Sequence, residues 1–425
     1  MIKSKFNQAR AHSAHAGIIM DLLEELNTPR SMALAISFRH SNFKTVASEL
    51  LELDPLSIST LDYKSSAQAV AFFKKSTYLE SDSDLLVSNS IASFLRLEEE
   101  LKTYNLNRVK NSFYNSTIFT ASRIMRRLLG PLPDVSDLKV SFTKGATYSL
   151  AAADATIAAK LSNRLDVTPL AKPYLLKWLG ADRVFFDAYS DKKLITVDGN
   201  KLSTVPKDFR KVRVICKEPL GNMILQRGFG LHMKNRLKTV GIFIETGQSD
   251  HKSLLKYDSD CWSTIDQSDA SDRISRSLVK DLLPIEWYHV LDRIRSRKTL
   301  INGEWHELEK FMTQGNGFTF ELETMIFYCL IQAMHINIHG YKTVVSVYGD
   351  DVIVPVHHGK TVVENLSNFG LTVNTEKSFV DGPFKESCGF DILEGKEVRP
   401  FYLKEFESHD TIYYVQFCNF IKRVL

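Results

Sequence analysis

The sequence of 425 residues contains no long apolar run. A membrane-spanning helix needs about 18 or more consecutive, mostly apolar residues, and no stretch approaches that length. Residues 1–20 carry charged and polar side chains and lack an apolar segment of signal-peptide length. We therefore expect a soluble protein that is not exported and does not enter a membrane.

Cysteines are few and widely separated. None of them forms a CxxC pair, which argues against both a zinc site of paired cysteines and a disulfide framework. A reducing cytoplasm suits such a chain. The five cysteines are Cys216, Cys261, Cys329, Cys388 and Cys418.

A strong net charge is also missing, because 54 basic residues oppose 50 acidic ones and give a net charge of +4. The distribution is uneven, since residues 201–240 hold ten Lys or Arg and only two acidic residues. Positive charge concentrated in one segment is typical of a phosphate-binding site. The alternative is a solvated basic surface without a binding role.

The two halves of the chain differ in pattern. From about residue 205, short β-branched runs alternate with helices, including a long one over Thr319–His339, and this predicts an α+β fold. A further helix over Gly359–Phe369 would end at Gly370, and a hairpin would turn at residues 394–395. In the first half, apolar residues at helical spacing predict helices over Ser13–Leu26, Phe43–Leu53, Ser66–Lys75, Ser83–Tyr104 and Asn115–Leu129.

Two adjacent aspartates lie between valine-rich runs in VVSVYGDDVIVP. This pattern predicts a hairpin with Asp350 and Asp351 at its tip and Gly349 supplying the backbone freedom of the turn. Adjacent carboxylates repel each other unless cations neutralise them, and Mg²⁺ prefers such oxygen ligands. The competing interpretation is an ordinary Gly/Asp turn.

A third carboxylate follows a short predicted strand in CWSTIDQSDASDRIS. The strand would end at Asp266, and a helix would start near Ser271. Together with the paired aspartates, Asp266 predicts a site for two Mg²⁺ ions, with Mn²⁺ a possible substitute, at which a 3′-hydroxyl attacks a nucleotide α-phosphate. Helix capping is the competing interpretation for Asp269 and Asp272, and we favour it for Asp269.

Four segments, STIDQSDASDRIS, GNGFTFELETMIF, VYGDDVIVP and NTEKSFVDGPFKESCG, together resemble the replicase catalytic (beta) subunit of the leviviruses, the Qβ-like RNA bacteriophages. The resemblance is close over roughly residues 205–405. It extends to the first half only loosely, through FTKGAT. It implies an RNA-dependent RNA polymerase that copies a positive-strand phage genome.

The resemblance also implies a right-hand polymerase fold, α+β, with an antiparallel palm sheet flanked by helices. We expect a mostly helical N-terminal and fingers region over residues 1–205, and fingers with motif F leading into the palm over 206–262. The palm with motifs A to E would cover 263–403, and a thumb would begin over 404–425. Only 23 residues follow Tyr402, so we expect that thumb to be truncated.

In motif terms, the resemblance places Asp266 in motif A and the paired aspartates in motif C. Asp272 would then read the ribose through its 2′-hydroxyl. Motif B corresponds to Gly315-Asn316-Gly317 and the helix that follows. Asn316 and Thr319 would contact the ribose or the template, and Thr319 could also cap the helix.

Basic residues would handle the triphosphate. Lys211, Arg213 and Lys217 share one face of a predicted strand, as motif F requires, and Arg227 is a weaker candidate. Lys377 matches the motif D lysine that protonates departing pyrophosphate, and the alternative is an ordinary exposed lysine. Cys388-Gly389 fits motif E as a structural turn rather than a reactive thiol.

Two further pairs on the Thr319–His339 helix favour structural interpretations. Glu321 and Glu323 complement the helix dipole in its first turn. His335 and His339 lie four residues apart, as two metal ligands would, but the sequence shows no third ligand beside them. We therefore favour packing over a metal site for both histidines.

Implied partners are RNA template and product, ribonucleoside triphosphates, and, by resemblance alone, host elongation factors Tu and Ts and a ribosomal protein. The implied location is the cytoplasm of the infected bacterium. Two rival functions remain. A reverse transcriptase would usually exclude the 2′-hydroxyl with a bulky side chain where this chain has Asp272, and a palm-derived RNA-binding protein would have lost catalysis.

Overall fold

The structure is a computed structural model. It describes residues 17–40, 46, 53–75, 83–107, 110–142, 144–189, 194–208, 210–402, 419, 421 and 422. No helix within these ranges combines the length and the apolarity needed to cross a membrane.

Helices dominate the first part of the chain and frame the later sheets. They are α1 17–26, α2 Pro29–Arg39, α3 Thr60–Lys74, α4 Ser83–Asn107, α5 Ser112–Leu129, α6 Ile157–Ser162, α7 Lys172–Ala181, α8 Arg183–Tyr189, α9 Leu220–Leu237, α10 Gly247–Tyr257, α11 Ala270–Arg273, α12 Arg276–Leu282, α13 Ile285–Ile294, α14 Thr319–His339 and α15 Val356–Asn365. Single turns of 3₁₀-helix cover Val135–Asp137, Lys238–Val240, Ser259–Cys261 and Leu366–Phe369.

Strands form four small sheets, in the orders β1-β2, β4-β3-β6-β7, β5-β9-β8 and β10-β11-β12. They are β1 Leu165–Val167, β2 Leu194–Thr196, β3 Asn200–Asp208, β4 Lys211–Lys217, β5 Trp262–Ile265, β6 Lys298–Ile301, β7 Glu304–Glu307, β8 Ser346–Tyr348, β9 Asp351–Pro355, β10 Phe384–Ser387, β11 Phe390–Leu393 and β12 Lys396–Glu397.

The β5-β9-β8 sheet is antiparallel throughout and forms the centre of the later half. Trp262 pairs with Pro355 and Ile265 with Val352, while Tyr348 pairs with Asp351 across the hairpin. Helix α14 contacts β8, and α15 contacts β5 and β9. The predicted α+β class, with an antiparallel sheet flanked by helices, is confirmed at this level.

Helix α14 lies at the heart of the largest core. The helix has the bounds that the sequence predicts, and Gly340, with a φ of +80°, ends it in a left-handed conformation. Residues 322–335 are all buried, which fits a helix that is apolar on every side and enclosed by other elements. It packs against α5, α9 and β8, so its first turns are held firmly beside the sheet.

The β4-β3-β6-β7 sheet presents the basic strand at its edge. Strands β3 and β4 form an antiparallel hairpin with an irregular register between Pro206 and Asp208, and β3 runs parallel to β6. Strand β3 therefore crosses the boundary predicted at residues 205 and 206. The hairpin predicted at residues 394–395 is confirmed, since Glu394 and Gly395 both have positive φ between β11 and β12.

The structure corrects several element predictions. Pro29 begins helix α2, with Thr28 as its N-cap in a capping box, and this helix is absent from the predicted ones. Helix α3 begins at Thr60, capped by Ser59, six residues before its predicted start. Most of the helix predicted over residues 43–53, and of the thumb segment over 404–425, lies outside the described residues.

Candidate active site

The two adjacent aspartates occupy a tight hairpin between β8 and β9, as predicted. Gly349 and Asp350 form the turn, and Asp351 is the first residue of β9. Gly349 has a φ of +64° and donates its backbone N–H to Thr324 Oγ1 at 3.0 Å. A Cβ atom at this position would lie 2.6 Å from the Phe320 ring, so only glycine fits and the turn is fixed to α14.

Asp266 directly follows β5 at its carboxyl end, as predicted. Because Ile265 pairs with Val352 in an antiparallel ladder, the next pair in register places Asp266 beside Asp351. The Asn374 side chain donates to Asp266 Oδ2 at 2.8 Å, and the Asp266 backbone N–H donates to Ser378 Oγ at 3.0 Å. The register therefore brings three carboxylates to one edge of the sheet.

These carboxylates are half-buried and repel one another. Burial, and then the charge of Asp350, raise the pKa of Asp351 from 3.8 to about 7. Burial also raises the pKa of Asp266 to about 6, against the favourable charge of Lys377. The pKa of Asp350 is raised by burial as well, although basic neighbours oppose the shift. Three carboxylates that lie close together and have raised pKa values fit a site for hard cations such as Mg²⁺.

The Cys388-Gly389 turn lies against this cluster. Both residues have positive φ between β10 and β11, which is the geometry of a tight hairpin turn. The Cys388 backbone lowers the pKa of Asp351, while burial raises the pKa of the Cys388 thiol. A thiol that keeps its proton is a poor nucleophile, which favours the structural interpretation of this turn over a reactive thiol.

Basic side chains converge on the aspartate turn. Lys377, Arg213 and Lys207 all favour the ionised form of Asp350 and hold its pKa down against burial. Lys211 belongs to the same group, because after burial Arg213, Lys377 and Lys211 lower the pKa of Lys207. Lys207 lies within the basic segment 201–240 but was not among the predicted site residues.

Lys217 lies apart from this group. It lies six positions along the strand from Lys211, or roughly 20 Å. The neighbouring Cys216 donates its backbone N–H to Gln314 at 2.7 Å, so this end of β4 adjoins the loop before α14. The structure therefore divides the predicted basic strand face between two places: Arg213 acts on Asp350 and Lys211 on Lys207, whereas Lys217 lies at the other end of the strand.

Lys377 is half exposed and lies 3.5 Å from Glu386 Oε1. Burial lowers the pKa of Lys377, but the charges of Glu386 and Asp266 outweigh it and leave the pKa above its ordinary value. The ammonium group is therefore protonated at neutral pH beside a carboxylate of the central cluster. It can act there as a cation or as a proton donor.

Asp272 forms an ion pair rather than a helix cap. Its Oδ1 lies 2.9 Å from the ammonium of Lys310, which is fully buried and also lies 3.0 Å from Glu98 Oε1 on α4. The capping interpretation is also wrong for Asp269, which occupies the N-cap position of α11 with a φ of +51° but makes no capping hydrogen bond. Lys310 thus fixes Asp272, and no sequence pattern indicated this ion pair.

The loop before α14 is held by its own polar groups. Asn316 Oδ1 accepts from the Phe318 backbone N–H at 3.0 Å, and the Thr319 hydroxyl donates to the Thr313 carbonyl at 2.9 Å. Thr319 is thus the first helical residue and does not cap the helix. At Gly315, where φ is +126°, a Cβ would collide with the Cys216 carbonyl oxygen, so the loop packs directly on β4.

A buried polar network supports the same loop from behind. Gln226 Oε1 accepts from the Gly317 N–H at 2.9 Å, and Gln226 Nε2 donates to Glu218 at 3.0 Å. Glu218 also accepts from Asn200 and Ser296, both at 2.7 Å. This network joins β3 and α9 to the loop. Its members are far apart in sequence, so no local sequence pattern indicates that they meet.

Glu323 does not lie in the first turn of α14, where the sequence predicted that it would complement the helix dipole. It lies in the second turn of α14 and is only 6% exposed, and its Oε1 has no hydrogen-bond partner among the described residues. Burial, and then the charges of Asp350 and Asp272, raise the pKa of Glu323 well above its ordinary value. It is therefore a buried acid near the central carboxylates, whereas Glu321 does lie in the first turn.

Three other residues, Arg227, His335 and His339, have contacts that the sequence did not indicate. Arg227 donates from Nε to the Ser141 carbonyl at 2.8 Å, so its guanidinium braces a neighbouring segment. His335 and His339 come together with a third imidazole, that of His358 on α15. The expectation that these two histidines have no third ligand beside them is therefore wrong.

Comparisons with known proteins agree with one another. A family model described as "RNA replicase, beta-chain" matches residues 38–424. The RNA-directed RNA polymerase beta chain of Enterobacteria phage fr is 40% identical over 274 residues, which cover 62% of this chain and 49% of that protein. The RNA-directed RNA polymerase subunit beta of Escherichia virus Qbeta is 35% identical over 297 residues, covering 69% and 50% respectively.

The chain spans about half of the length of the curated relatives that it matches. Among solved structures, an RNA-dependent RNA polymerase of BmCPV at its elongation state is similar with a TM-score of 0.42 and 11% identity, over 74% of this chain and 31% of that one.

Proposed function

The chain belongs to the RNA replicase beta-chain family, and from that premise we propose that it holds the catalytic centre of an RNA-directed RNA polymerase. The enzyme would copy a positive-strand phage genome from ribonucleoside triphosphates. The observation that carries this proposal is the meeting of Asp266, Asp350 and Asp351 at one edge of the central sheet, with basic side chains facing them.

The three aspartates would hold two Mg²⁺ ions. The fit rests on their chemistry, since the donors are all carboxylate oxygens and each of these acids has a raised pKa. When bound, the ions supply a lowered pKa at the attacking 3′-hydroxyl and offset charge on the triphosphate. Asn374 orients the Asp266 carboxylate, and Gly349 fixes the position of Asp350.

The basic group would bind the triphosphate. Lys207 and Arg213, on the edge of the second sheet, and Lys377, beside Glu386, all act on the charge of Asp350, and Lys211 lies near Lys207. Lys377 is a suitable proton donor to the departing pyrophosphate, because its raised pKa keeps the proton in place before transfer. Lys217 would have a secondary role near the loop.

Asp272 would accept a hydrogen bond from the 2′-hydroxyl of the incoming nucleotide. Lys310 holds its Oδ1, which leaves the second carboxylate oxygen to meet the sugar. Asn316 and Thr319 remain candidates for ribose or template contact through the loop that they stabilise. The reverse-transcriptase alternative is less suitable, because an acidic side chain at position 272 does not exclude a 2′-hydroxyl.

The finer architecture belongs to the same proposal. The β5-β9-β8 sheet would be the palm, the β4-β3-β6-β7 sheet would belong to the fingers, and residues 404–425 would begin a thumb. Elongation factors Tu and Ts and a ribosomal protein are the expected partners in the infected bacterial cytoplasm, by family resemblance alone.

The test is RNA synthesis on a short self-priming RNA hairpin with ribonucleotides, Mg²⁺ and host factors. The 425-residue chain is compared with Asp350→Asn and with Asp381→Asn, which changes an exposed aspartate outside the cluster. Extension by the parent and by Asp381→Asn, but not by Asp350→Asn, supports the proposal. Equal extension by all three would overturn the metal assignment. If neither this chain nor a chain lengthened to match the relatives extends the RNA hairpin, RNA binding without catalysis is favoured.

A further inference from the structure

Three histidines meet where α14 and α15 cross. His335 and His339 lie one turn apart at the end of α14, and His358 lies in the first turn of α15. One ligand atom from each residue lies within 4.8 Å of the other two. The ring centroid of His335 is 4.4 Å from that of His339 and 4.6 Å from that of His358.

Two of these imidazoles are buried without partners. His335 and His358 are both 0% exposed, and no ring nitrogen of either has a hydrogen-bond partner within the described residues. The Ile331 backbone lies near His358 and favours its charged form, but makes no hydrogen bond of ordinary geometry with it. Buried polar atoms are nearly always paired, so two adjacent buried imidazoles without a hydrogen bond of ordinary geometry indicate a missing ligand.

The missing ligand must suit neutral imidazoles. Burial, and then the charge of His335, lower the pKa of His358 to about 4, and burial lowers the pKa of His335. An anion would need charged imidazoles, whereas a metal ion needs neutral ones with a free lone pair. Imidazole nitrogen suits Zn²⁺, Cu²⁺ and Ni²⁺ far better than the hard ions bound by carboxylates.

We propose that His335, His339 and His358 form a binding site for a transition-metal ion of the Zn²⁺ class. Tetrahedral coordination at about 2.0–2.1 Å places ligating nitrogens roughly 3.4 Å apart, so the rings must move slightly closer together. His339 is exposed and can turn to do this. The fourth position would be taken by water or by the exposed His357, whose ring centroid lies 6.0 Å from that of His335.

This site is separate from the aspartate cluster. Thr324, which accepts the hydrogen bond from Gly349 in the aspartate turn, precedes His335 by eleven positions on the same helix, or roughly 16 Å along its axis. The metal would join the far end of α14 to α15, the helix that directly follows the Asp351 strand. Its role would therefore be structural, bracing the two helices that pack on the central sheet.

The test uses the tag-free 425-residue chain, stripped with chelator and titrated with Co²⁺ in excess Mg²⁺. Mg²⁺ occupies carboxylate sites and leaves imidazole sites free. We expect one Co²⁺ per chain, with the strong visible absorption of a four-coordinate site, and displacement by one equivalent of Zn²⁺. His339→Ala, which changes an exposed side chain, should weaken Co²⁺ binding by at least about tenfold. His289→Ala, an exposed histidine elsewhere, should leave it unchanged.

Thermal unfolding supplies a second readout. Zn²⁺ should raise the Tm of the parent and of His289→Ala, but should not raise that of His339→Ala or His358→Gln. The decision rests on His339→Ala, because the buried His358 also contributes to packing. The proposal is overturned if the parent binds no stoichiometric Co²⁺, or if His339→Ala binds Co²⁺ as tightly as the parent.

Discussion

Replacing Asp351 by asparagine tests the electrostatics of the aspartate cluster without changing its shape. The two side chains have the same size, but the amide carries no charge. In the metal-free protein, the Asp351 carboxylate is half-buried next to Asp350 and Asp266, and its pKa rises from 3.8 to about 7. The substitution removes that unfavourable charge together with one ligand of the proposed metal site.

The size of the effect follows from the linkage between protonation and folding. The unfolded chain loses the Asp351 proton near pH 4, whereas the folded chain keeps it until about pH 7 because its pKa is raised. The folded state thus binds more protons between these values, and stability falls as pH rises through this window. At about 1.4 kcal/mol per pKa unit, the penalty reaches at most about 4 kcal/mol above pH 7.

We therefore expect Asp351→Asn to stabilise the metal-free chain at pH 8 by about 2 kcal/mol, since coupled neighbours share the penalty. At pH 5 the gain should fall below about half of that value, because the parent carboxylate is then mostly protonated. Millimolar Mg²⁺ should stabilise the parent at pH 8 and have little effect on the variant. Urea unfolding with and without Mg²⁺ at both pH values measures all three quantities.

Asp381→Asn provides the matched control, because it removes one exposed carboxylate and should show none of these changes. The reasoning fails if Asp351→Asn is less stable than the parent at pH 8 without metal. It fails equally if Mg²⁺ stabilises parent and variant to the same extent. Either result would mean that Asp351 is not a carboxylate whose ionised form is disfavoured by its surroundings and stabilised by a bound cation.

Three other substitutions test the surroundings of the cluster. Lys310→Met leaves Asp272 and Glu98 without their buried cation and should lower the free energy of unfolding by about 3–5 kcal/mol, measured in urea. Asp272→Asn should reduce the kcat/KM preference for GTP over dGTP by about 10–100-fold, the value of one hydrogen bond to a charged acceptor, while Asp269→Asn retains it. Gly315→Ala forces a Cβ onto a strand carbonyl at positive φ and should lower the Tm by several degrees.

Local pattern was enough to predict the elements that carry the aspartates. Valine-rich runs around Gly349 required a tight hairpin, and the apolar helix over Thr319–His339 has the predicted bounds. These features depend on residues within a few positions of one another. For the same reason the strand before Asp266 could be predicted, although its register against β9 could not.

Long-range contacts explain most of what the sequence did not show. Lys310 meets Glu98 from more than 200 positions away, and His358 joins His335 only because α15 crosses α14. Glu323 looked like an acid that complements a helix dipole, yet tertiary packing turns it into the protein interior. The alternation of side chains along β4 did not indicate which end of that strand lies near the carboxylates. It therefore neither excluded Lys217 nor selected Lys207 on the neighbouring strand β3.

The rate of adding a single ribonucleotide to a self-priming RNA hairpin, under saturating Mg²⁺ at pH 8, tests the proposed chemistry at its centre. The comparison is between the parent and Asp266→Asn, with circular dichroism verifying that both are folded. We predict that the rate constant falls by at least about 10³-fold, as expected when a group that stabilises the transition state is lost. A rate within threefold of the parent would contradict catalysis at this carboxylate cluster.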